Sequence, residues 1–235
     1  MTPTVFAEDD ARLRDLLTSG RQMGAATSVE DTLALILAAA VDTSPATDMA
    51  GVLLLEGRGK IVSPATTDEV VNELDQVQAD TGEGPCVESI YDEEIVLVQD
   101  FAEHEDRWPH FVRRALDHGV HSSLSFQLYS ENKRAASLNL FSRRTHAFGE
   151  DDRVLGALFA NQAGLALRGA QRAAQLDRAV SSRDVIGTAK GILMERFGLS
   201  DDEAFQRLVR SSQDTNIKLV DVARWLVGEA GGKPD

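Results

Sequence analysis

Cys86 is the only cysteine in the 235-residue chain, and it stands in Thr81-Gly-Glu-Gly-Pro-Cys-Val-Glu-Ser89. A reactive thiol needs exposure and a depressed pKa. A helix start beside it would help, while Glu83 and Glu88 would oppose. One cysteine excludes an internal disulfide and any multi-cysteine zinc site, and a buried small hydrophobe is the expected role. His104, His110, His118, His121 and His146 are scattered. His118 and His121 are close, but no carboxylates at helical spacing complete a metal site around them. The phosphate-loop pattern GxxxxGK[ST] and the nucleophile turn GxSxG do not occur. The expectation is a non-enzyme with no metal and no predicted cofactor.

A second set of side chains is cationic and lies near the C-terminus. Lys190 is flanked by Gly187 and Gly191, which permit close backbone approach but serve helix packing equally well. Arg207 and Arg210, three apart, share an outward helix face. Asn216 and Lys218 precede the last helical pattern, where Asn216 serves as a cap or reads a base edge. Arg183, Arg196 and Arg224 complete the set. Such groups pair with phosphates or base edges, although an exposed Arg alone is ordinarily a solvated side chain. Trp225 could stack on an unpaired base or cover an edge of the bundle, the reading preferred here.

The elements that carry these residues are legible from spacing. Ile186, Ala189, Leu193 and Phe197 recur at helical intervals. Gly198 sits at a left-handed helix stop, and Ser200-Asp-Asp-Glu203 forms a capping box. Ala204, Phe205, Leu208 and Val209 give a second helix its stripe. A polar break over 211–216 leads to a third, with Leu219, Val222, Ala223, Leu226 and Val227 inward. Upstream, residues 1–27 are polar, with Leu13, Leu16 and Leu17 marking a short helix. Ser28 caps a helix bearing Leu33, Ile36, Leu37 and Ala40. Residues 50–56 and 60–63 read as a hairpin around Gly57-Arg58-Gly59. Val70, Val71, Leu74 and Val77 mark a helix, and Pro85 opens another. Residues 94–98 form a strand and 108–118 a helix. Two antiparallel strands with one apolar face follow, joined by Glu131-Asn132-Lys133. Helices and strands interleave without a βαβ rhythm, so the expected class is α+β. From Asp151 the chain reads as helix to Phe197. Leu155, Leu158, Leu165, Leu176 and Val180 lie near a heptad register that Gln162, Gly169 and Arg172 interrupt.

The net charge of −14 is unevenly placed. Residues 1–177 carry 15 basic and 29 acidic side chains, whereas residues 178–230 carry eight of each. A neutral helical module has little sequence-independent affinity for nucleic acid, so recognition there would rest on shape and specific contacts. The N-terminus is acidic, without the pattern of a secretory signal. The longest apolar run, 33–41, is too short to cross a bilayer. The expectation is a cytoplasmic protein with no membrane partner.

Two resemblances organise these observations. The run Ile186-Gly-Thr-Ala-Lys-Gly-Ile-Leu-Met-Glu-Arg196, the segment 204–208 and Asn216-Ile-Lys-Leu-Val-Asp-Val-Ala223 resemble the ANTAR family. That implies a three-helix RNA-binding module of transcription antitermination, acting on paired hairpins in leader transcripts and indirectly on the transcription machinery, as a homodimer. It selects Lys190, Asn216 and Lys218 as contacts, ahead of Arg207, Arg210, Arg183 and Arg196. Thr81–Ser89, Val96-Leu-Val-Gln-Asp-Phe101, Ala136-Ser-Leu-Asn-Leu-Phe-Ser142 and Phe148-Gly-Glu-Asp-Asp152 resemble a GAF domain. That implies an antiparallel sheet flanked by helices, with a pocket on one face for an unidentified small molecule. Cys86, Ser125 and Gln127 are its candidate lining.

The expected organisation is a lead at 1–27, a GAF-like sensor at 28–171, a connecting helix at 151–180 overlapping the sensor, an ANTAR-like module at 181–230 and a tail at 231–235. The alternative is a ligand-binding or redox sensor whose helical tail recruits a protein. No phospho-acceptor receiver domain is apparent.

Overall fold

The computed structural model describes residues 4–231 apart from 58, 92, 93, 132 and 133; for 4–11, 13, 230 and 231 it describes the backbone only. Arg58 and Asn132-Lys133, at the hairpin turns named above, and the tail after 231 therefore lie outside the described residues. The chain divides into two compact units, 1–171 and 172–235.

The first unit is built on a five-stranded antiparallel sheet in the order β2-β1-β5-β4-β3. Its strands are β1 (Met49–Glu56), β2 (Lys60–Thr66), β3 (Ile95–Val98), β4 (Ser122–Glu131) and β5 (Arg134–Ser142). On one face lie α1 (Thr4–Ala25), α2 (Val29–Thr43) and the opening turns of α6 (Glu150–Phe197). Leu33, Ile36, Phe159, Ala163 and Leu167 pack there against Val52, Leu124, Phe126 and Leu138. On the other face lie α3 (Glu69–Thr81), α4 (Pro85–Tyr91) and α5 (Pro109–Asp117), with a 3-10 turn at Phe101–His104. Val71, Leu74, Cys86, Phe101 and Phe111 pack there against Met49, Leu53 and Phe141.

Local chemistry sets several boundaries. Ser28 accepts from Asp31 N at 3.0 Å and starts α2. Gly82, at φ 72°, ends α3 in the left-handed region that glycine enters without Cβ strain. Gly164 lets α6 lie directly on β4, because a Cβ there would collide with the Leu128 carbonyl oxygen.

Two expectations need correcting in this unit. The N-terminal lead is a 22-residue helix rather than a short one. Leu16 and Met23, two turns apart, are buried in the core and fasten it, while its polar remainder obscures the periodicity. Strands β4 and β5 also have two covered faces, not one. Ser123, Ser125, Ser137 and Asn139, which alternate with apolar residues as solvent-facing positions would, are all fully buried.

The second unit joins the later turns of α6 to α7 (Asp201–Thr215) and α8 (Leu219–Gly231). Gly198, at φ 64°, ends α6, and the Ser200–Glu203 capping box opens α7. Ala189, Leu193, Ala204, Leu208 and Ala223 form the core, with Ile186, Leu219, Val222, Leu226 and Val227 partly buried around it. Phe197 and Phe205, read above as inward, are exposed. Residues 211–215 continue α7 as helix rather than breaking it.

Candidate sensor interior and nucleic-acid interface

Beneath α3 and α4 a polar network runs through the apolar layer. Ser63 Oγ donates to Asp75 Oδ2 at 2.6 Å. Gln78 Nε2 donates to Asp75 Oδ1 at 3.3 Å and to Cys86 Sγ at 2.9 Å. Gln78 Oε1 accepts from the Cys86 backbone N–H at 3.0 Å. Ser89 Oγ reaches the Cys86 carbonyl at 2.9 Å and Ser137 Oγ at 2.6 Å, and Ser137 Oγ lies 2.8 Å from Asn139 Oδ1. The chain of contacts thus links β2, α3, α4 and β5. Gly51 keeps it closed: a Cβ there would stand 2.6 Å from Val71 Cγ1 and 3.2 Å from Asp75 Oδ2.

Burial sets the protonation of this network. Desolvation is the main cause that lifts the Asp75 carboxyl to about 7, against the lowering pull of Ser63 and Gln78. Burial, and next the Asp75 charge, push the Cys86 thiol well above its ordinary range. A thiol so placed is neither nucleophilic nor accessible. Ser125 Oγ lies close enough to pull that pKa downward yet makes no hydrogen bond of ordinary geometry. Ser125 Oγ, Ser123 Oγ and Asn139 Nδ2 lack partners among the described residues. Unpaired buried polar atoms are uncommon in folded proteins.

Of the candidate pocket residues, Cys86 and Ser125 are brought together. Gln127 points its amide at the Ser89 and Ile90 carbonyls, at 2.9 and 3.2 Å, and ties β4 to α4. Sequence reading missed Asp75 and Gln78, which occupy one face of an unremarkable polar helix. It also missed Glu83. The side-chain cap that Trp108 cannot give α5 comes from Glu83, which accepts from the His110 and Phe111 N–H groups at 2.9 and 3.4 Å and from His110 Nδ1 at 2.7 Å. Burial would raise the Glu83 carboxyl, but these bonds outweigh it and hold the pKa below its usual value. The opposite face of the sheet holds a cavity of only about 20 Å³, lined by Ala40, Phe126, Leu138 and Phe159 among others, room for about one water.

The bundle presents its chemistry outward. Lys190 is largely covered: its ammonium pairs with Asp201 at 2.6 Å and lies 6.0 Å from the Phe205 ring. With Arg183, Ile186, Gly187 and Phe205 it lines an open groove of about 750 Å³. Arg207 stacks over the Phe197 ring at 4.6 Å. Arg183, Arg196, Arg210 and Lys218 are exposed. Arg224 pairs with Asp221 at 2.8 Å. Asn216 does not cap the third helix. It ends the second, at φ 54° in the left-handed region, and its N–H bonds back to Gln213 and Ser212; the Lys218 carbonyl takes the first bonds of α8. Trp225 remains 66% exposed and is no cover for the bundle edge. Among the described residues no group of three or more His, Cys, Asp or Glu is placed to hold a metal.

An antiparallel sheet between two helical layers, continued by a long helix into a three-helix bundle, defines a sensor-type domain followed by a small helical output module. Solved structures share the fold of the first unit. A phosphoenolpyruvate-protein phosphotransferase GAF domain from Coxiella burnetii is 19% identical, with a TM-score of 0.54 over 68% of this chain and 95% of that one. An N-acylhomoserine lactone dependent LuxR family transcription factor from Burkholderia cenocepacia is 17% identical, with a TM-score of 0.56 over 69% and 99%. The free methionine-R-sulfoxide reductase of Neisseria meningitidis is 16% identical, with a TM-score of 0.52 over 69% and 91%. At such identities the likeness is one of fold. Among curated proteins no match is found.

The family models are decisive: residues 26–168 match the GAF domain and residues 174–227 the ANTAR domain. The chain belongs to the GAF family and has the architecture of a GAF–ANTAR regulator. Both matched domains are regulatory modules rather than enzymes, and among the described residues no helix is long and apolar enough to cross a membrane.

Proposed function

We propose that this chain is a signal-responsive RNA-binding regulator of transcription antitermination. Its C-terminal bundle holds paired hairpins in a nascent leader transcript, disfavours the terminator stem and so lets transcription continue. The N-terminal unit receives the signal, a small molecule met at the sheet face of Cys86 and Ser125. The observation that carries the reading is the ANTAR match over 174–227, laid on a bundle whose arginines, Lys218 and aromatic rings face outward while Lys190 is largely covered. Arg207 on Phe197, Lys190 beside Phe205 and the exposed Trp225 offer phosphate pairing and base stacking together. Arg183, Arg196, Arg210 and Lys218 supply further phosphate contacts, and the Asn216 amide reads a base edge. Exposed Leu158, Leu165, Leu176 and Val180 on α6 supply the apolar seam of a homodimer.

Fluorescence anisotropy with a labelled two-hairpin leader RNA, against a scrambled RNA of equal length, tests the reading. Lys218→Ala and Arg207→Ala should each weaken binding and lower its salt dependence by about one counterion. Equal affinity for the two RNAs contradicts it. Ribonuclease-insensitive capture of a protein partner, unaffected by these substitutions, favours instead a helical tail that recruits protein.

A further inference from the structure

Among the described residues of the first unit, Asp75 is the one carboxylate buried to 1% exposure, and none of their cations faces it. Its own helix offers Gln78, β2 offers Ser63, β1 offers only the bare Gly51, and α4 offers Cys86. Among the described residues, Cys86 is the only other titratable group in that circle. The remaining element against α3 is α5, which carries His110, Arg113, Arg114, Asp117 and, at its end, His118. These meet the outer side of α3, where Arg114 and His118 pair with Glu73, and none of them acts on Asp75. A carboxylate in such a place must keep its proton, be matched by a cation, or be let out to water.

We infer that the network under α3 and α4 is a proton-operated gate: Asp75 holds its proton while α3 lies closed on β1 and β2, and loss of that proton lifts α3 and α4 and exposes the Cys86 thiol. The inference rests on reading residues 1–171 as the signal-receiving half. It assigns one input, pH or any ligand that displaces the Asp75 proton, to a residue outside the expected pocket lining. The closed contacts are the Ser63–Asp75–Gln78–Cys86 chain and the Val71 methyl over Gly51. The chain joins β2, α3 and α4, and the methyl contact joins α3 to β1, so ionisation in the middle strains several elements at once. The unpartnered Ser125 Oγ and Asn139 Nδ2 leave the opened face ready for water or for a polar ligand.

Linkage fixes the pH range. An open, hydrated Asp75 titrates near 3.8 and the closed one at about 7. Between these values the open form has released a proton that the closed form retains. Opening therefore becomes about tenfold more favourable per pH unit across that range, then levels off.

The single thiol makes the gate measurable on the full chain. The rate of Cys86 modification by a dithiodipyridine, which reacts with thiols in acid as well as at neutral pH, is followed from pH 5 to 8.5 in the native protein and in Asp75→Asn. Their ratio cancels the ionisation of the thiol itself. The ratio is expected to climb several-fold per pH unit from about pH 5 to about pH 7 and then flatten. In Ser63→Ala, which removes a hydrogen bond that favours the ionised carboxylate, the bend should move to higher pH. Parallel profiles for native protein and Asp75→Asn overturn the gate, as does a bend that Ser63→Ala leaves in place. Should Asp75→Asn fail to fold, Ser63→Ala decides alone. No RNA enters the measurement, so its failure is separate from failure of the RNA-binding reading.

Discussion

The two units break the usual inside–outside rule in opposite directions. The sensor buries polar groups: Asp75, Gln78, Ser89, Ser125, Ser137 and Asn139 are at most 1% exposed. The bundle exposes apolar and aromatic ones: Phe197, Ile217 and Trp225 are about half exposed or more. Buried polar atoms and exposed large apolar side chains are the informative exceptions in a folded protein, because each costs free energy in the isolated chain. The difference separates an interior rich in polar groups from a surface rich in apolar ones. That contrast supports the proposed reading, in which the sensor is addressed from within and the bundle at its surface.

Substitutions sharpen this contrast, and the largest effects belong to the sensor. Gly164→Val would drive a side chain into the β4 backbone at the Leu128 carbonyl. It should cost about 3 kcal/mol or more and lower the first melting transition in calorimetry. A melting temperature within a degree or two of native would break the assignment of α6 to that sheet face. Asp75→Asn comes next. Because the closed carboxyl titrates at about 7 rather than 3.8, native stability should fall as pH rises from about 4 to about 7. The asparagine variant should not follow, and at pH 7.5 it should gain a few kcal/mol, on the order of 3. Equal pH dependence in chemical denaturation contradicts the burial of an unmatched carboxyl.

Smaller effects follow at surface positions. Glu83→Ala removes the side-chain cap of α5 and should cost about 1 kcal/mol at neutral pH. Since Glu83 is held below its usual pKa, its contribution is present above the unfolded value. It is lost as pH falls through the lower folded one, so native and variant should converge in acid. On the bundle, Asp201→Asn releases Lys190 from its ion pair, a contact worth about 0.2–1 kcal/mol. It should tighten RNA binding modestly, whereas a purely structural Lys190 would give no gain. Trp225→Ala should change bundle stability least, by less than about 0.5 kcal/mol, while weakening RNA binding by about 1 kcal/mol or more if the indole stacks on a base.

What could be read in the residues beforehand was whatever depends on near neighbours. Ser28, Gly198 and the Ser200–Glu203 box announce their helix ends because caps act within four residues. The strands show in their alternation, yet alternation cannot tell a solvent-facing serine from one that faces a second helical layer, so β4 and β5 read as having one apolar face and not two covered ones. Asp75 and Gln78 carry no local mark, since their burial depends on α3 being laid over Gly51. Glu83 caps a helix 27 residues away, beyond any window of periodicity. Phe197 continues the stripe of Ala189 and Leu193, but α6 ends there and its ring stays out of the bundle core, covered only in part by the Arg207 guanidinium. Which Arg or Lys touches RNA was legible only through family resemblance, because an exposed cation looks the same with or without a partner.

The central claim, that the bundle surface is the meeting place with folded RNA, is tested most directly by photocrosslinking the full chain to a two-hairpin leader RNA and locating the adducts by mass spectrometry. The account predicts adducts within 183–225, on Phe197, Phe205 or Trp225, that vanish with the scrambled RNA. Adducts confined to 28–171, or the same adducts with both RNAs, would contradict it.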